Sequence, residues 1–119
     1  MKRKIFIVIG YGSIGKKHCN TLKKFNVDYY VISSQKNIKE KHIKYSEIKS
    51  INPDYVIIAS PTSKHLLDLM TVDRLIKNKV ILIEKPLFNK KTNFIPKNNK
   101  VFVAYNMRFH PIINYLKNL

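Results

Sequence analysis

Apolar residues come in short unbroken runs that alternate with segments of helical spacing. Residues 5–9 read Ile-Phe-Ile-Val-Ile, a β-branched and aromatic run of the kind a central parallel strand needs when both faces are buried. Ile14, His18, Leu22 and Phe25 then recur at spacings of four, four and three, which predicts a helix with one apolar stripe. Lys16, Lys17, Lys23 and Lys24 fall on its wet faces. Residues 27–33 read as a second strand, 34–44 as a loop or frayed helix, and 46–51 as a short helix stopped by Asn52-Pro53. Residues 55–59 form a third strand. Residues 63–77 form a helix whose inward candidates are Leu66, Leu67, Met70, Val72 and Ile76. Runs at 80–83 and 101–105 complete the strands. Alternating short strands and helices predict an α/β fold, a doubly wound parallel sheet of the Rossmann-like, dinucleotide-binding kind, occupying 1–119 as one domain. The connection from Glu84 to Lys100 contains Pro96 and several Asn, so an abbreviated, partly irregular crossover is expected there.

The chain has 119 residues, 45% hydrophobic and 25% charged, which suits one globular domain with a core and is too apolar for a disordered tail. Lys and Arg total 23 against 7 Asp and Glu, a formal charge of +16. All seven carboxylates lie between Asp28 and Glu84, so both ends of the chain are acid-free. A polyanion partner is one reading of such a charge. Only Arg3, Arg74 and Arg108 are arginines, and base-reading sites favour the bidentate guanidinium, so nucleic acid ranks as the lesser alternative. The lone Cys19 cannot form an internal disulfide, and no Cys/His cluster has metal-ligand spacing. A reducing, cytoplasmic setting without a metal or a membrane follows as the expectation. The apolar run at 5–9 ends at Gly10, too short for a secretory signal or a membrane span.

Gly10-Tyr11-Gly12-Ser13-Ile14-Gly15 is a GxGxxG turn set directly after one predicted strand and opening a predicted helix. Gly10 permits the tight turn, Gly12 lets backbone approach a pyrophosphate, and Gly15 allows close helix packing. The helix start at Ser13 and Ile14 offers free N–H groups. A glycine-rich turn without a ligand is the alternative. The end of the second strand reads Ser33-Ser34-Gln35-Lys36, where NAD-binding sites usually carry a carboxylate for the ribose hydroxyls. Hydroxyls and an ammonium suit a 2′-phosphate, so NADP is preferred over NAD, with Lys36 as one more solvated lysine the competing reading.

Two further segments follow strands: Ala59-Ser60-Pro61-Thr62-Ser63-Lys64-His65 and Glu84-Lys85-Pro86-Leu87. With GYGSIGKKH and the later AYNMRFHP they stand in the order, and nearly the spacing, of motifs in one family. On these four motifs the chain resembles the N-terminal domain of the Gfo/Idh/MocA family, the glucose-fructose oxidoreductase and inositol dehydrogenase group of NAD(P)-dependent enzymes. The resemblance implies that Lys85 approaches the nicotinamide ribose and substrate as the catalytic lysine, with Glu84 beside it and Pro86 following. It implies that Ser60, Pro61 and Thr62 belong to the segment lining the nicotinamide pocket, and that Asn106 and Arg108 lie near the cofactor and the domain junction. His65 matches a histidine on the following helix, where packing or capping is the competing role. His18 and Cys19 read as helix-face residues. Family enzymes continue into a second domain that carries the substrate pocket, whereas this chain ends at Leu119, with 109–119 expected to begin the connection. The expectation is therefore an oxidoreductase, or its cofactor-binding half, acting on a sugar-like or cyclic polyol substrate once a second domain or subunit is supplied. Such a partner, a complementary chain or a second copy, is expected to present an acidic surface to the basic ends. A non-catalytic dinucleotide-binding or interaction module is the alternative.

Overall fold

A computed structural model of the chain describes residues 3–84 and 94–104. Five parallel strands form one sheet: β1 (Ile5–Ile9), β2 (Asp28–Ile32), β3 (Tyr55–Ile58), β4 (Val80–Glu84) and β5 (Lys100–Ala104), in the order β2-β1-β3-β4-β5. Helix α1 (Ser13–Leu22) links β1 to β2. A 3₁₀ turn (Tyr45–Glu47) runs into the four-residue α2 (Ile48–Ile51) before β3, and α3 (Thr62–Leu75) links β3 to β4. All five expected strands form, with ends shifted by one residue or so.

Side chains on successive positions of β1 enter opposite layers, which is why the run had to be apolar throughout. Ile7 and Ile9 join Val56, Ile58, Ile81 and Ile83 under Ile48, Leu69, Val72 and Ile76 of the α2/α3 layer. Phe6 and Val8 join Ile57 and Leu82 against Cys19 and Leu22 of α1. Phe6 also stacks on Tyr55, ring centroids 4.7 Å apart. Each fully buried Ile or Leu contributes about 1.5–3 kcal/mol, so these two layers hold the sheet.

The stop after α2 is sharper than a pre-proline restriction alone. Asn52 takes the left-handed conformation (φ 52°) and its N–H bonds the Ile48 carbonyl, ending the helix before Pro53. Two expected inward residues of α3 turn outward instead: Leu67 is 68% exposed and Met70 44%. The buried face carries His65, Asp68, Leu69, Val72 and Asp73, because its polar members are hydrogen-bonded to neighbouring loops. Ile14 of α1 is likewise exposed, at the edge of a cleft.

Residues 34–44 form no helix. His42 makes a single parallel bridge to Val31, with the Val31 N–H bonded to the Lys41 carbonyl and the Ile43 N–H to the Val31 carbonyl. That bridge lies on the free edge of β2, since the other edge is taken by β1. Counting it as a vestigial strand gives the doubly wound order 3-2-1-4-5-6. The expected crossover without a helix holds for the part that is described: residues 94–99 contain none, and 85–93 lie outside the described residues.

Candidate functional site

The connections from β1 and β3 leave the sheet in opposite directions, so the carboxyl ends of these two neighbours open a crevice, the usual ligand position in such sheets. A cleft of about 780 Å³ lies there, walled by the β1, β2 and β3 ends and floored in part by the 42–45 segment.

The first wall is the glycine turn. Gly10 has φ 101°, and a β-carbon on it would lie 2.6 Å from the Ser60 nitrogen and 2.7 Å from the Ala59 carbonyl. A β-carbon on Gly15 would lie 2.0 Å from the Gly10 carbonyl oxygen. These two glycines close the turn on itself and on β3. Gly12 differs, because a β-carbon there would meet nothing within 4 Å. Its open side belongs to the cleft, together with Ser13 and Ile14 of the first helical turn. The first intrahelical bond runs from the Lys16 N–H to the Gly12 carbonyl, so the N–H groups before it have no intrahelical acceptor.

Tyr11 of the turn also lines the cleft, and its hydroxyl is anchored to Glu40. Its hydroxyl donates to Glu40 Oε2 (3.0 Å), Tyr29 donates to Glu40 Oε1 (2.7 Å), and Lys23 Nζ stands 3.3 Å from the same carboxylate. Burial pushes the Glu40 carboxyl up, but the hydrogen bonds from Tyr29, Tyr11 and Lys23 outweigh it and hold the group below its ordinary value. The Tyr29 phenol moves the other way, raised by burial and by Glu40. Burial also pushes the Cys19 thiol up to about 12.

The second wall is the end of β2. Ser33 Oγ accepts the Gln35 N–H (3.0 Å), and Gln35 Nε2 donates to the Tyr11 carbonyl (2.9 Å), stitching this loop to the glycine turn. Ser33 and Ser34 line the cleft. Lys36 does not; it is exposed, and Asn37 after it has the left-handed φ of 59°.

The third wall is Ala59, Ser60 and Pro61 with Lys64 and Asp68 of α3. Asp68 is buried and accepts from the hydroxyls of Ser60 (2.5 Å) and Tyr45. Burial first, and then Asp68, raises the Tyr45 phenol far above its ordinary value. His65 Nε2 donates to the Ser60 carbonyl (2.6 Å), so this histidine is a buried brace of the loop and not a cleft wall. Thr62 opens α3 half-buried, outside the lining. Glu84 is also buried outside the lining, where its Oε1 accepts from His18 Nε2 at 2.5 Å. Lys85, Pro86, Asn106 and Arg108 lie outside the described residues.

Sequence reasoning did not single out Gln35, Glu40, His42, Lys44, Tyr45, Lys64 or Asp68 for the site. The contacts of Glu40 with Tyr11 and of Tyr45 with Asp68 span 29 and 23 residues, which no local pattern encodes; the detectable signal was Asp68, an acid at an inward position of α3.

A five-stranded parallel sheet with flanking helices and a glycine turn at the switch point is a Rossmann-like domain. Solved structures agree. The chain is similar to the WlbA dehydrogenase of Bordetella pertussis, whose structure holds NADH and UDP-GlcNAcA, with TM-score 0.65 and 14% identity over 98% of this chain and 41% of that one. It is similar to a probable dehydrogenase of Thermotoga maritima (TM-score 0.59, 23% identity, 71% of this chain, 28% of that one). It is also similar to scyllo-inositol dehydrogenase of Lactobacillus casei with bound NAD(H) and scyllo-inositol (TM-score 0.59, 20% identity, 75% and 30%). At these identities the likeness is one of fold, and the chain spans less than half the length of each protein. No family model matches the chain, and no curated protein does. Among the described residues no helix is long and apolar enough to cross a membrane.

Proposed function

We propose that the chain is the dinucleotide-binding domain of an NAD(P)-dependent oxidoreductase of the Gfo/Idh/MocA type, acting on a sugar-like or cyclic polyol alcohol or ketone. One observation carries the reading: the glycine turn sits at the switch point with Gly12 opening on a cleft where a β-carbon would meet no atom. The group fits the residues present, because a pyrophosphate needs close backbone approach and unpaired N–H donors, and Gly12, Ser13 and Ile14 supply both.

In this reading Gly12 to Gly15 hold the pyrophosphate, and the ends of β2 and β3 hold the two nucleosides. Ser60, fixed by Asp68 and His65, keeps the β3 loop in place beside the nicotinamide half. A bound nicotinamide supplies hydride exchange with the substrate carbon. Lys85 polarises the reacting oxygen, and Pro86, Asn106 and Arg108 complete the cofactor side. The likeness to larger dehydrogenases supports a second domain or subunit, joined beyond residue 108, that completes the substrate site. Ser33 and Ser34, with no carboxylate at this end of the cleft, support NADP over NAD.

Calorimetric titration with NADPH and NADH tests the proposal on wild type and Gly12→Ala. Wild type is expected to bind, and the variant to lose affinity at unchanged Tm, since its added methyl enters the ligand's space and touches no protein atom. A wild type that takes up neither cofactor at about 1 mM, where binding is worth only about 4 kcal/mol, would overturn it.

A further inference from the structure

The third strand of the first half of the sheet has shrunk to one bridge at His42, and residues 42–45 leave the sheet edge to join the cleft beside the end of β2. Both His42 and Lys44 line it there with Ser33 and Ser34. Taking the dinucleotide reading above as its basis, we propose that His42 and Lys44, with the two serines, receive the 2′-phosphate of NADP, and that Lys36 does not.

Three observations support the assignment. His42 Nε2 donates to the Ser33 carbonyl at 2.9 Å, which orients the ring against the serine pair. The Lys44 backbone N–H donates to Glu47 Oε2 at 2.7 Å, which pins Lys44 at the start of the 3₁₀ turn, while Glu47 itself stays out of the cleft lining. The one acid among the lining residues is Asp68, and its two carboxylate oxygens already accept from Tyr45 and Ser60. The β2 end therefore offers hydroxyls, an imidazole and an ammonium to a phosphate dianion, with no free carboxylate to repel it. A bare ribose diol would lack the carboxylate acceptor that usually selects NAD. Lys36 is exposed and outside the lining.

The test compares dissociation constants of NADPH and NADH for wild type, Lys44→Gln, His42→Gln and Lys36→Gln. Wild type is expected to bind NADPH more tightly than NADH. Lys44→Gln should weaken NADPH about tenfold, the loss of one charge-assisted contact, and leave NADH within about twofold. His42→Gln should weaken NADPH by a smaller factor, again with NADH unmoved, and Lys36→Gln should change neither. Equal wild-type affinities, a parallel loss of both cofactors in Lys44→Gln, or a selective loss in Lys36→Gln would each overturn the assignment while leaving the dinucleotide reading intact. Failure of wild type to bind either cofactor would overturn both.

Discussion

His18 and Glu84 are the test of how the glycine-turn helix is tied to the strand that leads into Lys85. His18 is 1% exposed and Glu84 9%, and their side chains meet at 2.5 Å across 66 residues of sequence. His18→Ala removes the imidazole and leaves a buried carboxylate without that donor. Breaking a buried pair from one side costs about 3–5 kcal/mol, because the remaining charge stays desolvated. Against a total stability of about 5–15 kcal/mol for a small domain, that is a large fraction. Urea unfolding reads it directly. With m near 1.5 kcal/mol per M, a 3 kcal/mol loss lowers the midpoint by about 2 M. The single variant His18→Leu set against the double variant His18→Leu/Glu84→Met separates charge from packing: both fill the space of the ring, only the single one strands the carboxylate, so the double variant should be about 2 kcal/mol or more the stabler. A His18→Ala loss below about 1 kcal/mol would refute the reasoning. So would a double variant no more stable than His18→Leu, since the stranded carboxylate would then cost nothing.

Gly10→Ala should cost at least about 2 kcal/mol, because it combines a left-handed φ with a β-carbon 2.6 Å from the Ser60 nitrogen; a thermal melt within a degree of wild type would contradict it. Cys19, buried and with its thiol raised to about 12, should resist an aromatic disulfide reagent at pH 8 in the native protein and react fully in denaturant; native reaction at the rate of a free thiol would contradict that. Glu40 has a lowered folded-state pKa, so its stabilisation is present above the ordinary carboxylate value and drains away as pH falls through the folded one. The Tm gap between wild type and Glu40→Gln should thus be widest near pH 7 and close below about pH 4, and a gap constant from pH 7 to pH 3 would exclude this role.

The strands and the glycine turn were legible because each is written in consecutive residues. An unbroken run such as 5–9 has no other place in a small domain than the middle of the sheet, and Gly10 and Gly15 are required by contacts within their own turn and the next strand. The inward face of α3 was less legible, since hydrophobicity alone selected Leu67 and Met70 over Asp68 and Asp73. Those aspartates are tolerated inside because donors reach them from Ser60 in the preceding loop and from Tyr45 and residues 97–99, which are far away in sequence. The same reason hid His42 and Lys44. Their place in the cleft depends on a strand that fails to form beyond one bridge, and the polar stretch 34–44 reads the same whether it ends near the cleft or away from it.

The charge of the chain takes on a different meaning once each carboxylate is followed to its partner. Asp28 pairs with Arg3, and Asp54 accepts the Ile5 N–H. Glu47 accepts the Lys44 N–H, Glu40 holds Tyr11 and Tyr29, and Asp68 holds Ser60 and Tyr45. Glu84 holds His18. Asp73 accepts the Lys97 and Asn98 N–H groups and the Asn99 amide, which lets residues 97–99 enter β5 from the end of α3 with no helix to satisfy their backbone. All seven acids therefore serve as acceptors at joints between elements. The excess of +16 thus goes with few carboxylates, each of them engaged, and with lysines that are mostly exposed among the described residues. That distribution does not require a nucleic-acid surface to explain it. It does have a consequence for the cleft: with Asp68 engaged, no free carboxylate lines it among the described residues, so none would oppose the phosphates of a dinucleotide there.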